Sequence, residues 1–353
     1  MDRPPSHCAV TPYSRRAGSS RVRVFEWLDR VDADFTVSAY ASLADAAPSR
    51  LARHPLAVAR AELRLHRLAT ARPRRLLLHR EASPLSRGWW ERRLLSSAEF
   101  AVYDFDDALQ WDQGGGLARS LAPKAAKARA AVRHADRVIA GNDILGDWAA
   151  HHHRDVVVIP SCVEPEDYAP KTSYALHDPP RLGWIGSRDN EAYLLLVAGA
   201  LEEIHRRSGA RLTLVGTTRR SLGRLEAFVD RVAWSPHTER TVLAGIDIGL
   251  MPLPATRYSL GKCGYKLLQY GAAGVPSVAS PLGVNADILR RFRMPAARDD
   301  GEWTDAILGL LDGSDAVRER LGRDARAVVR RRYSYDAWLS RWTAALELPA
   351  AAS

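Results

Sequence analysis

The stretch DIGLMPLPATRYSLGKCGYKLLQYGAAGVPSVAS, residues 247–280, reads as a strand, a loop, a helix, a turn and a second strand. DIGLMP (247–252) is apolar and strand-like. ATRYSLGKCGYK is a loop that enters a helix, and LLQYGAA is the packed body of that helix. Gly274-Val275-Pro276 then turns the chain into PSVAS (276–280). The chain holds 46 Arg but only five Lys, and two of the five, Lys262 and Lys266, fall here beside Gly261 and Gly264. Glycine lets backbone approach a ligand closely. A helix start presents unpaired N–H groups and the positive end of its dipole. Two ammonium groups four residues apart at such a start predict a diphosphate site. Gln269, one turn beyond Lys266, offers an amide to a hydroxyl.

Outward from this unit the same alternation recurs. Strands are expected at 7–12, 34–40, 75–80, 100–105, 137–141 and 155–160, with helices at 21–31, 56–69, 88–97, 119–134 and 143–152. Further strands are expected at 182–186, 211–216, 231–234, 247–252 and 276–280. Strand and helix in alternation predict parallel sheets covered by helices on both faces. The aperiodic, Pro- and Asp-bearing stretch 160–180 reads as a linker between two such units. The expected division is therefore 1–170, 171–332 and a last amphipathic helix, 333–353, crossing back to the first domain. Trp338 and Trp342 are placed one turn apart on that helix. Ligands of open α/β sheets bind at the carboxyl ends of the strands.

At 353 residues each domain can bury a sizeable core. The net charge of +10 admits an anionic partner. The Arg residues are spread along the whole chain, and the Ala and Arg excess fits high-GC bacterial codon usage, so nucleic acid is not the expected partner. Three scattered cysteines argue for a reducing, cytoplasmic setting. No signal peptide or membrane-spanning run is read.

GKCGYKLLQYGAAGVPSVASPLGVN (261–285) resembles the donor-site signature of retaining glycosyltransferases of family 4, the group 1 glycosyl transferases. Six further stretches follow the family's order: 76–95, 102–109, 135–150, 158–168, 182–194 and 247–254. The resemblance implies a GT-B fold, two facing Rossmann-like doubly wound domains with a cleft between them. The family's usual pair of glutamates is replaced here by Gly261 and Gln269, in the manner of a Lys-centred branch. The resemblance implies that Gln269 meets the nucleotide ribose as an uncharged partner. It also implies that Gly186, Ser187 and Arg188 hold the donor diphosphate, with Arg188 one place later than usual. Trp234 ends a strand where the family binds the base, although a packing role fits it equally. Gly18 and Ser19 correspond to a glycine loop against the donor phosphate.

Lys262, Arg188 and the helix start near Gly264 are expected to stabilise the leaving diphosphate as catalytic groups, with Lys266 assisting. His79, Arg80 and Glu81 end one strand, and Asp104, Asp106 and Asp107 end the next. All are read as acceptor-side residues, the aspartates alternatively as structural caps. The resemblance implies no cofactor and no metal, a nucleotide-diphosphate sugar as co-substrate with UDP or GDP expected, and retention of configuration through front-face attack. The acceptor is expected to be a small molecule or natural product bearing a hydroxyl. A lipid-linked or envelope-glycan acceptor is the alternative, and a nucleotide-sugar-binding pseudoenzyme is the alternative of another class.

Two tempting patterns are set aside. His151-His152-His153 are consecutive, so they do not face one ion. Gly114-Gly115-Gly116 fits no phosphate-loop spacing. In SRGWWERRLLSS (86–97), Arg87, Arg92 and Arg93 flank Trp89 and Trp90. A helix packed on the sheet is the first reading. Peripheral contact with the inner face of a membrane is the second.

Overall fold

The computed structural model describes residues 6–41, 51, 53–112, 122–216 and 221–349, with the side chains of Arg188 and Asp189 outside that description. Gly114–Gly116 and the start of the helix expected at 119–134 also lie outside the described residues. The chain divides into two compact units. The first is Met1–Ser161, Gly261–Cys263 and Trp338–Ser353; the second is Cys162–Leu260 and Gly264–Ala337.

The first unit is built on β1 (His7–Tyr13), β2 (Phe35–Ala41), β3 (Arg75–His79), β4 (Phe100–Phe105), β5 (Arg137–Ala140) and β6 (Val156–Val158). All pairings are parallel, in the order β2-β1-β3-β4-β5-β6. The cores of β1, β3 and β4 are buried residue after residue, not alternately. That is the mark of strands covered on both faces. The helix Pro55–Ala71 buries Ala61, Leu65 and Leu68, spaced by four and three along one stripe. The helix Asp143–Ala150 is started by Asn142, whose side chain accepts from the Leu145 N–H at 2.9 Å. Strand order reverses between β1 and β3, so the loops leaving these two strands open the ligand-binding point of the sheet.

The closing helix spans Leu339–Ala345 and belongs to this unit. Trp338 and Trp342, expected one turn apart on this helix, do not both lie on it. Trp338 precedes the helix, while Trp342 stacks on Trp27 with centroids 5.3 Å apart and planes 3° from parallel. Both indoles are fully buried, and such a pair contributes about 1 kcal/mol beyond area burial. Arg75 Nε donates to the Leu346 carbonyl at 3.0 Å and ties the segment to β3.

The second unit holds β7 (Arg181–Ile185), β8 (Arg211–Gly216), β9 (Val229–Ala233), β10 (Ile248–Met251) and β11 (Ser277–Ala279), parallel, in the order β11-β10-β7-β8-β9. All eleven expected strands therefore form. The reversal here lies between β7 and β10. The unit's core runs through both faces of this sheet and includes Trp184, Tyr270, Phe292 and Trp303.

The stretch 160–180 is not a free linker, and the units divide at Ser161/Cys162 instead of at 170/171. Tyr168, Lys171 and Tyr174 are buried in the second unit. Lys171 Nζ donates to the Ile246 carbonyl at 2.9 Å and lies 3.6 Å from Asp247. Tyr174 donates to the Gly274 carbonyl at 2.9 Å. Side chains supply the partners that a regular element would have supplied from its backbone, so the segment carries no hydrophobic period to read.

Candidate functional site

In the first unit the loops after β1, β3 and β4 bring together Ser19, His79, Arg80, Asp104, Asp106 and Asp107. Asp104 is the buried anchor. It accepts from Arg23 Nε at 3.1 Å and Nη2 at 2.5 Å, and His79 Nδ1 lies 2.8 Å from its Oδ1. Arg23, His79 and Asp104 are all fully buried. Burial alone would raise the Asp104 carboxyl, but Arg23 and His79 hold it below the usual range. An ionised Asp104 cannot donate, so His79 Nδ1 carries the hydrogen and Nε2 faces Ser19 Oγ at 2.9 Å.

Ser19 Oγ also lies 2.9 and 3.0 Å from the two Asp106 oxygens, and Arg80 Nη1 donates to it at 3.1 Å. Ser19, His79 and Asp104 have the separations of a nucleophile, a base and an orienting carboxylate. Asp106 competes for the Ser19 hydrogen, however, so the line is a relay and not a dedicated nucleophile.

Arg80 Nη1 is 2.9 Å from Asp107, and Lys262 Nζ is 3.4 Å from the same carboxylate. Burial would raise Asp107, but Lys262, Arg80 and Lys124 bring it down to about 2. Cys263 donates to the carbonyls of Asp106 and Gly141 at 3.1 and 3.3 Å. Burial pushes its thiol up to about 12, and the neighbouring Asp106 adds to the shift. It is no nucleophile at neutral pH.

Several expectations change here. Asp104 and His79 are too deeply buried to meet an acceptor directly; they orient Ser19 and Asp106. Glu81 is 7% exposed and its carboxylate accepts from Lys127 Nζ at 2.6 Å, so it is an internal ion-pair partner and not an acceptor ligand. Gly18 opens the helical segment Gly18–Ser20, and an added Cβ would meet nothing within 4 Å. Nothing in this segment demands a glycine. Lys262 is not on the helix it was expected to open. Gly264, in the left-handed region at φ 66°, starts the helix Tyr265–Ala273 two residues later. Lys262 therefore shares no helical face with Lys266.

In the second unit Lys266 lies in the first turn of that helix, with Nζ 4.9 Å from the Trp184 ring centroid. Gly186, at the end of β7, lies directly beneath. A Cβ there would stand 2.5 Å from the Trp184 ring and 2.9 Å from Lys266 Nζ. Gly186→Ala should thus shift the indole and the ammonium together. We expect a loss of about 1–3 kcal/mol in stability, read by denaturant unfolding, with displaced Lys266 chemistry beyond it. Ser187 stands at the N-cap position of the short helix Arg188–Glu191, where its Oγ accepts from Asn190 Nδ2 at 3.2 Å and not from a backbone N–H; the Arg188 side chain is outside the described residues.

Gln269 is 4% exposed, and its Nε2 donates to Glu239 at 2.9 Å and to the Tyr168 hydroxyl at 3.2 Å. The expected ribose contact would have to come from its other amide atom. Trp234 Nε1 donates to the second Glu239 oxygen at 2.8 Å. Trp234 is thus both packed and fixed in orientation. Glu239, Tyr168, Trp184 and Arg23 escaped the sequence reading. Arg23 had a signal: one charge inside the apolar run VRVF.

The histidine run binds its own backbone. His151 Nδ1 lies 2.7 Å from the Asp147 carbonyl, and His153 accepts from the Asp155 N–H at Nδ1, 3.0 Å away, while its Nε2 lies 2.9 Å from the Ala135 carbonyl.

Asp104, Asp107 and Glu81 are all stronger acids in the fold than in the open chain. Each contributes stability above its unfolded pKa, and that contribution disappears as pH falls through the folded value. The melting temperature should therefore drop between about pH 4 and pH 2, and Asp107→Asn should flatten part of that slope. Calorimetric melts across this range check it.

The family model described as "Glycosyl transferases group 1" matches residues 179–313, all in the second unit except Gly261–Cys263. No curated protein matches the sequence. Anabaena Alr3699/HepE, solved with UDP-glucose, superposes with a TM-score of 0.68 at 13% identity, over 97% of this chain and 99% of that one. An E. coli structure described as trehalose-6-phosphate bound with UDP-2-fluoro glucose gives 0.63 at 12% identity, over 98% and 100%. S. aureus TarM, in complex with Fondaparinux, alpha-GlcNAc-glycerol and UDP, gives 0.60 at 13% identity over 81% of this chain; the match spans only 58% of TarM. Two parallel, helix-covered sheets with these neighbours give the chain the two-domain, Rossmann-like GT-B fold.

Proposed function

We propose that the chain is a glycosyltransferase that moves a sugar from a nucleotide diphosphate to an acceptor hydroxyl. The observation that carries this reading is Lys266, held over the bare backbone of Gly186 at the strand-order reversal of the unit whose residues 179–313 match the glycosyl transferase family. A cation in the first turn of a helix, above a glycine with no side chain, suits a diphosphate leaving group. Lys266 takes the role expected of Lys262, which is close to Asp107 in the other unit. Arg188 remains the second diphosphate cation of this reading. Neighbours solved with UDP or a UDP-linked sugar favour UDP over GDP.

On the acceptor side, Asp106, Arg80 and Ser19 are the groups near enough to the surface to meet a hydroxyl. Buried Arg23, Asp104 and His79 keep them oriented. Retention of configuration, with the leaving phosphate helping to take the acceptor proton, completes the proposal; the sequence resemblance supports it.

The test has two stages. Titration calorimetry with UDP, GDP, ADP, TDP and CDP, with and without Mg²⁺, should show one diphosphate binding. Incubation with the matching sugar nucleotides and acceptors should then release that diphosphate, with the product anomer assigned by proton NMR. Binding without turnover would favour a pseudoenzyme. No binding of any diphosphate would overturn the proposal.

A further inference from the structure

The loop that leaves β3 at His79 and Arg80 runs through Leu85 and Arg87 into the helix Trp89–Leu95. This helix was expected either to pack on the sheet or to lie on a membrane, and its two tryptophans divide those roles. Trp90 is 4% exposed, and its Nε1 donates to Glu62 at 2.5 Å. Trp89 is 48% exposed and stacks on Trp90 with centroids 4.2 Å apart. The outer indole is thus held at the surface by a ring that is itself anchored.

Leu85, four residues earlier in the loop, is 55% exposed. Around these apolar groups lie exposed arginines. Arg92 and Arg93 share a depression with Trp89, Ser96 and His134. Arg87 precedes the helix, and Arg129 and Arg133 are exposed on the packed neighbour Lys124–His134. Neither helix carries an exposed carboxylate: Glu91, the one acid of the pair, is fully buried and accepts from Ala82 N–H and Ser86.

From this surface we infer that the first unit docks on an anionic lipid bilayer. Arginines on two helices without an exposed acid attract anionic headgroups, and a fixed indole, with the exposed Leu85 of the preceding loop, enters the interfacial layer. A soluble polyanion would use the arginines and leave Trp89 and Leu85 in water. The docked loop is the one that supplies Arg80 to the acceptor-side cluster. A hydroxyl on a membrane-borne acceptor is therefore the substrate class this surface favours. That last step rests on the proposed glycosyl transfer; the docking itself does not.

The test is co-sedimentation of the full chain with vesicles of phosphatidylcholine alone and with phosphatidylglycerol added, at low and high salt. Binding should require the anionic lipid. It should weaken about fivefold for each arginine removed in Arg92→Gln and Arg93→Gln. Trp89→Ser should weaken binding even at low salt, which a purely electrostatic contact would not show. Arg207→Glu, on the exposed face of the second unit's helix Ala198–Ser208, should have no such effect. Thermal melts check that each variant is folded.

Wild-type protein that ignores anionic vesicles overturns the inference without using any variant. So does binding that heparin abolishes while Trp89→Ser leaves it unchanged, since that marks a polyanion surface. Loss of nucleotide binding would sink the transferase reading and leave this one standing.

Discussion

Arg23→Met should destabilise the first unit by about 3–5 kcal/mol, because it leaves a buried carboxylate without its cation. Arg23 and Asp104 are both fully buried, and the guanidinium closes a two-pronged contact on the carboxylate while Nη1 donates to the Ile159 carbonyl at 2.8 Å. Removing the cation strands three acceptors: two Asp104 oxygens and one backbone carbonyl. His79 remains, but it can serve only one of those oxygens. The double change Arg23→Met with Asp104→Asn should recover much of the loss, since a neutral amide is cheaper to bury than an unpaired charge. Urea unfolding of both variants measures this. Equal destabilisation in the two would mean that Arg23 acts by packing alone. Activity should not recover with stability. The asparagine can accept from His79 Nδ1 but carries no charge to steady the relay toward Ser19 and Asp106.

The fold was legible because its strands announce themselves. RLLLH and FAVYDF carry runs of apolar residues at successive positions, as a strand buried on both faces requires. The site was legible in its elements and less so in its contacts. Scarce lysine was a true signal of enclosed placement: none of the five lysines is exposed. It did not say what encloses them. Lys127 pairs with Glu81, Lys171 serves loop carbonyls and Lys262 pairs with Asp107.

Spacing also misled at 262–266. Four residues mean one turn only inside a helix, and Gly264 delays the helix until Tyr265. The Glu239 network was invisible because its members stand far apart along the chain, with Tyr168 and Gln269 separated by 101 positions. No local period records such a contact.

Lys266→Ala should weaken nucleoside diphosphate binding by about 10- to 100-fold, the range for loss of one hydrogen bond to a charged group. The effect should fall on the diphosphate and spare the nucleoside. Uridine should bind the variant and the parent equally. Lys266→Arg tests placement as well as charge, because a planar guanidinium must fit where a compact ammonium now packs on the Trp184 ring, 4.9 Å from its centroid. Retained charge with lost binding would mean that the position of the cation matters, not only its presence.

Lys262→Ala is the informative contrast. Its ammonium is 3.4 Å from Asp107, so its loss should raise the Asp107 pKa and shift the acid side of the unfolding profile. If Lys262→Ala weakens diphosphate binding as much as Lys266→Ala does, the two lysines do not divide their roles between the units, and both serve the donor.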